Sequence, residues 1–392
     1  MPRRRKRQLS VMTMYNIFDY LEWRGDLTFE QTGICDADAV ILSRLSYLPF
    51  DGAVSEKFDT FTTVSQATDR VFSGGNPAFL WDGDDRLLSA LAESGRYRDL
   101  RLCGYVNEVD DGRQMQFSAM VIEIGSGLRF ISFRGTDNTL VGWQEDFNMF
   151  FTFPVESQIE AQKYFERVTE CFDGEFCLGG HSKGGNLAVY VSAFSSPAVQ
   201  DRITAIYSMD GPGFELEHLE GSGFDRIAGK IRTYVPQSSI FGMLFEHEES
   251  YTVIKSNQKG FLQHDVYSWE IKRDSLVELS RRNGTSAFFD HTLTQFAAKM
   301  TPQERRDFTE AIFNIMKSTE EYTFDDMADK LVKDIPIMLK TFTKLDSETR
   351  SMIGARLLSF LKTAGGNITD INPLTKENRQ IRREQRTDKS KK

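Results

Sequence analysis

The spacing of apolar residues changes character along the chain, and each change marks a change of element. Residues 8 to 50 read as mainly helical, with Ile17, Leu21 and Trp23 in one segment and Ala39, Val40, Leu42, Leu45 and Leu48 at helical spacing in the next. Asp36 or Asp38 is placed to cap the second of these. From Gly52 to Gly75 the chain is polar with scattered threonine, serine and phenylalanine and predicts no element, and Asp85 to Ser94 then predicts a short helix. Past residue 100 the period falls to two. Leu102–Val109, Gln114–Ile124 and Leu128–Phe133 are apolar runs separated by Asp110-Asp111-Gly112 and Gly125-Ser126-Gly127, turn signals of hairpin length, and they predict a β-meander.

Strands and helices then alternate. Residues 158 to 172 have helical character, Phe176 to Leu178 is a short buried strand, and 184 to 194 is a helix. Ile203–Met209 and Ile231–Val235 are β-rich, and Tyr251–Ile254 is a weaker run of the same kind. This alternation predicts an α/β fold with a mostly parallel central sheet, an antiparallel edge and flanking helices. Beyond residue 270 the pattern is helical and charged over Thr292–Met300, Pro302–Lys317, Phe324–Thr343 and Ser347–Lys362, with Thr301-Pro302-Gln303-Glu304 as a helix start. The chain therefore divides into an N-terminal helical extension over 1–99, packed beside the core or forming part of a cap, an α/β core over 100–275, a C-terminal helical region over 276–375 and a basic, disordered tail over 376–392.

Composition narrows the function classes. The 392 residues are 40% hydrophobic and 27% charged, a globular balance. No apolar run approaches the roughly 20 residues of a membrane-spanning helix. The basic N-terminus runs into polar and acidic residues instead of a signal-peptide core, so the expected location is the cytoplasm. The four cysteines form no C-x-x-C pair, and neither disulfides nor zinc are expected. The net charge of −9 resides in the body, because residues 3–7 and 376–392 are both basic. An acidic body argues against nucleic acid as a partner; the basic ends are either solvated or suited to peripheral contact with anionic lipid head groups.

The chemistry concentrates in the stretch FCLGGHSKGG, residues 176 to 185. A serine on a sharp strand-to-helix turn needs small neighbours two positions to either side, and Gly180 and Gly184 flank Ser182 in that way. The G-x-S-x-G pattern between a strand and a helix is a nucleophile elbow. A serine hydroxyl needs a base, and a base needs an orienting acid. Of the five histidines, His264 follows the last β-like run and suits the order serine, acid, histidine; His247 is the second choice. His181 reads as a packing or hydrogen-bonding residue, His218 and His247 as exposed loop residues, and His291 as a capping or packing residue. Asp210, before Gly211-Pro212-Gly213 at the end of a strand, is the candidate acid, its alternative role being to bond its own turn. Asp265 is too close to His264 in sequence to reach its ring. The backbone N–H of Lys183 and Thr136, in the glycine-broken stretch after Phe133, are the candidate oxyanion donors.

FRGTDNTLVGWQEDF, residues 133 to 147, together with GGHSKGG, resembles the class 3 (triacylglycerol) lipases, and the whole chain is similar to an uncharacterised bacterial group of lipase-like α/β-hydrolases. The resemblance implies an α/β-hydrolase fold over roughly 100–270, Ser182 as nucleophile, Thr136 as oxyanion residue and His264 as the histidine. It also implies an aspartate after the strand Ile231–Val235, where this chain reads Val235-Pro236-Gln237-Ser238-Ser239. The expected function is a serine hydrolase of acyl esters, lipid or otherwise, without cofactor; the alternative is a non-catalytic binding protein on the same fold. The aromatic run Phe147 to Phe153 is read either as an acyl-pocket or lid segment or as core packing.

Overall fold

The computed structural model describes residues 15–280 except 126, 138, 150, 151, 240 and 246, together with 300–318 and 336–355 except 348. Its centre is an eight-stranded sheet in sequence order: β1 (Thr62–Thr63), β2 (Arg101–Asp110), β3 (Met115–Gly125), β4 (Leu128–Phe133), β5 (Glu175–His181), β6 (Ile203–Met209), β7 (Ile231–Pro236) and β8 (Tyr251–Ile254). The first four pair antiparallel, and β4 to β8 pair parallel. The predicted meander and parallel half are thus one mixed sheet. The strand expected at Phe176–Leu178 continues through the glycine pair to His181. Glycine is needed there because a Cβ on Gly179 would stand 2.6 Å from the Phe130 ring and 2.9 Å from Ser43 Oγ.

Alternate residues of each strand enter different cores. In β5, Phe176 and Leu178 join one apolar cluster while Cys177 joins the other; in β3, Val121 and Ile122 divide in the same way. The cluster that takes Cys177 and Ile122 is closed by α1 (Ile17–Arg24), α2 (Asp36–Leu45), α3 (Val64–Ser73) and α4 (Asp84–Glu93). So the described part of the N-terminal extension, residues 15–99, supplies a helical layer over the sheet. The helix α3 forms where the polar stretch predicted none, since Val64, Ala67 and Val71 give it one apolar face and Thr63 caps it. On the other face lie α6 (Glu156–Cys171) and α7 (Lys183–Ala193), and α5 (Leu140–Asn148) follows the loop after β4.

The first-layer helix α2 is buried at all but its first residue, charges included. Each buried charge has a partner: Arg44 bonds Asp84 at 2.8 Å, and Asp38 bonds Arg96 at 2.6 Å. The expected cap at Asp36 or Asp38 is corrected in this light. Cys35 occupies the capping position, and Asp38, three residues on, accepts from its backbone N–H at 2.9 Å while holding Arg96. In the C-terminal region Pro302–Lys317 is helical with Thr301 as its cap, as its sequence predicts, and Phe313 packs on Phe147 of α5. Residues 292–299, 324–335, 348 and 356–362, both basic ends and His291 lie outside the described residues.

Candidate active site

Four parallel strands end side by side, and each end carries a polar group. Ser182 sits between β5 and α7 with φ 58 and ψ −134, a conformation rare for any residue with a side chain. The tightness of the turn forces its flanking glycines. A Cβ on Gly180 would fall 2.3 Å from the Gly184 carbonyl carbon, and one on Gly184 would fall 2.1 Å from the Phe133 carbonyl oxygen. Neither neighbour can yield, because both are backbone. The turn leaves Ser182 8% exposed at the head of α7, whose first N–H groups lack partners within the helix.

At the end of β6, Asp210 also has a positive φ, 54, and is fully buried. Its Oδ2 accepts from His264 Nδ1 at 2.6 Å, its Oδ1 accepts from Ser239 Oγ beyond β7, and its backbone N–H donates to Tyr234 O at 2.8 Å. His264 closes a short 3-10 turn, Gly260–His264. That turn is fixed from several sides: the His264 carbonyl accepts from His181 Nε2 at 2.8 Å, and Gln263 accepts from Ser238 N at 2.7 Å and from Trp269 Nε1 at 2.8 Å. The histidine ring lies against Phe241 at 4.4 Å and His181 at 4.3 Å between centroids.

The loop after β4 faces the elbow. A Cβ on Gly135 would stand 2.4 Å from His181 O and 2.8 Å from Ser182 Cβ, so only glycine brings the two backbones this close. Buried Arg134 anchors the loop through Asn107 at 2.9 Å and Asp137 at 3.4 Å. Thr136 Oγ1 donates to the Asp146 carboxylate, 2.6 Å from each oxygen. Burial pushes the Asp146 carboxyl up to about 6, against the lowering effects of the Lys183 charge and the Thr136 hydroxyl. Beneath the elbow, Lys183 Nζ reaches back to Glu145 at 2.5 Å and Gln116 O at 3.0 Å, and Glu145 also accepts from the N–H groups of Gln116 and Ser157. Both charges are buried and compensated.

Residues 91–314 match a family model described as Mbeg1-like, which is more than half the chain. The chain belongs to the Mbeg1-like family. That family is lipase-like, the coarser part of the resemblance carried by the two motifs. No curated protein matches this Mbeg1-like chain. Among solved structures, the native Rhizomucor miehei lipase propeptide complex is similar at 14% identity over 56% of this chain and 68% of its own, with a TM-score of 0.33, a likeness too distant to bear on fold or function.

The Mbeg1-like chain brings Ser182, Asp210, His264, Thr136 and Lys183 to one edge of its sheet. Asp265 instead bonds the backbone of Tyr267. Two histidine readings are corrected. His247, expected as an exposed loop residue and as the second base, has a side chain only 2% exposed, held by Glu249. His218, also expected exposed, is half-buried and stacks on Phe153 at 4.1 Å. His181 is a hydrogen-bonding residue: burial, then the charges of His264 and Arg44, hold its imidazole well below its ordinary range, and its Nδ1 lies 3.2 Å from the Tyr47 hydroxyl. Tyr47 in turn accepts from Gly135 N at 2.9 Å, tying elbow to loop.

In the aromatic run, Phe153 packs on Tyr190 and Phe214 as core, whereas Phe147 is 42% exposed. Tyr47, Asp146 and Ser239 escaped the sequence reading. For Ser239 a signal existed: it stands in the segment where the lipase resemblance places the acid. The four cysteines are all unpaired. Among the described residues Glu215, Glu217 and His218 bring ligand atoms within 4.8 Å of one another, a grouping in which only Glu217 is exposed and which shares no residue with the strand-end site. No helix among the described residues is long and apolar enough to cross a membrane.

Proposed function

We propose that this Mbeg1-like chain is a serine hydrolase of acyl esters on an α/β-hydrolase fold, with Ser182 as nucleophile, His264 as base and Asp210 as its orienting acid. The observation that carries the reading is the bond of 2.6 Å between His264 Nδ1 and buried Asp210, at the strand end next to the strained serine. With Nδ1 committed to the carboxylate, Nε2 is the nitrogen left for proton exchange.

The steps follow from these roles. Ser182 Oγ attacks the ester carbonyl carbon as His264 Nε2 takes the hydroxyl proton. The tetrahedral oxyanion is met by the backbone N–H groups of Lys183 and Thr136, whose own hydroxyl is occupied by Asp146. Collapse breaks the bond to the alcohol, which leaves with the proton from His264. Water then adds to the acyl-serine, gives its proton to His264, and the acid departs as Oγ is reprotonated. Asp210 keeps its bond to His264 Nδ1 throughout and stabilises the imidazolium. An apolar acyl group suits the site because Phe241 packs on His264 and Trp143 on Phe241.

The alternative, a binding protein without turnover, is separated by a fluorophosphonate probe. Labelling of the wild type that is lost in Ser182→Ala and His264→Ala supports hydrolysis; a folded wild type that stays unlabelled rejects it.

A further inference from the structure

The carboxylate of Asp210 is held on its far side by a turn that has its own buried ionic anchor. The 3-10 turn Phe241–Met243 touches both partners of the proposed pair: Phe241 covers the His264 ring, and Gly242 lies so close to Asp210 that a Cβ there would fall 2.2 Å from Oδ1. Gly242 is gripped through both backbone groups. Its N–H donates to Ser239 Oγ at 3.0 Å, the hydroxyl that bonds Asp210, and its carbonyl accepts from His247 Nε2 at 2.7 Å. His247 Nδ1 donates to Glu249 Oε1 at 2.9 Å, and Glu249 also accepts from Thr233 Oγ1 of β7 at 2.6 Å.

A carbonyl and a carboxylate are both acceptors, so His247 makes these two bonds together only with a proton on each ring nitrogen. We propose that His247, as an imidazolium, is a positioning residue that clamps the Phe241–Met243 turn against the Asp210–His264 pair. The inference rests on the hydrolase reading of that pair. The groups that face the ring are Glu249 from its own segment, Asp210 from the end of β6 and the phenol of Tyr251 on β8, its ring 5.9 Å away. Burial lowers the His247 pKa, but Glu249, the Gly242 carbonyl and Asp210 together raise it above the ordinary histidine range. A neutral ring keeps one N–H and must release either Glu249 or the turn. Reactivity at Ser182 is therefore lost on the alkaline side as His247 loses its proton.

The test is the pH profile of Ser182 labelling and of p-nitrophenyl butyrate hydrolysis, from about pH 5 to about pH 9, for wild type, His247→Gln and Glu249→Gln, with folding checked by circular dichroism. The expected wild-type profile has an alkaline limb on which reactivity falls. Glu249→Gln moves the alkaline limb to lower pH. His247→Gln, which keeps one donor but cannot titrate, abolishes that limb and lowers kcat about tenfold with KM unchanged. Alkaline limbs identical in all three folded proteins overturn the inference. Should the wild type be unreactive at every pH, the hydrolase reading fails, and the clamp is judged on the Nδ1 proton resonance of His264. Broadening of that resonance in His247→Gln supports the clamp, and an unchanged resonance rejects it.

Discussion

Ser239, one strand over from Asp210, donates its hydroxyl to the carboxylate oxygen that His264 leaves free. In the segment where the lipase resemblance implies an acid, this chain has a serine that holds an acid supplied from the end of β6. The two substitutions that separate these roles have different expected sizes. Asp210→Asn removes the acceptor that fixes the His264 tautomer and is expected to lower hydrolysis by about 10⁴. Ser239→Ala leaves the carboxylate in place but strips Oδ1 of a donor, a loss of about 1–3 kcal/mol for a buried group, and is expected to lower kcat about tenfold. Kinetics on both variants check the order; equal losses would mean that Ser239 and Asp210 act as one unit.

Gly184→Ala tests whether the elbow is as tight as its geometry states. The new methyl meets the backbone of Phe133 and Arg134, at 2.1 and 2.9 Å, and backbone at the end of β4 can move only by unpairing the strand. The expected result is a fall of several degrees in Tm, in line with about 1–3 kcal/mol for overpacking, together with slower Ser182 labelling in the protein that remains folded, since the displaced residues lead directly into Thr136. Thermal denaturation and probe kinetics on the same sample measure both.

Lys183 directly follows Ser182, yet its side chain turns inward to Glu145. Lys183→Met leaves the Glu145 carboxylate buried without its cation and is expected to cost about 3–5 kcal/mol. The paired variant Lys183→Met with Glu145→Gln removes the uncompensated charge and is expected to recover most of that loss. Urea unfolding of the three proteins measures it; a paired variant no more stable than Lys183→Met would show that the lysine stem, not the charge, is what the site needs.

The parts of this fold that were legible in sequence are those whose cause is local. Period-two and β-rich runs named six of the eight strands closely, and two glycines around a serine named the tight turn, because the turn itself spans five residues even though the backbone of Phe133 also holds both positions to glycine. What was missed is held by contacts distant in sequence. Tyr47 reaches Gly135 across 88 residues, and Ser239 reaches Asp210 across 29. Nothing near Tyr47 distinguishes it from a core tyrosine. His247 was read as exposed because acidic residues surround it, but one of them, Glu249, is the partner that makes its burial affordable.

Asp146 offers a prediction in which pH sets the sign. Its carboxyl is pushed up to about 6, above the ordinary 3.8, so the folded protein holds this proton more tightly than the unfolded chain does. The contribution to stability is complete below 3.8 and is lost as pH rises through about 6. Asp146→Asn is neutral at every pH and keeps a side-chain oxygen to accept from Thr136. It is therefore expected to raise Tm at about pH 8 and to leave Tm nearly unchanged at about pH 4. Were the carboxylate needed as a charge to hold Thr136, the same variant would instead lose stability at the higher pH, and Ser182 labelling would slow with it. Calorimetry at the two pH values, with probe kinetics at the higher, distinguishes a threonine held by hydrogen-bond geometry from one held by charge.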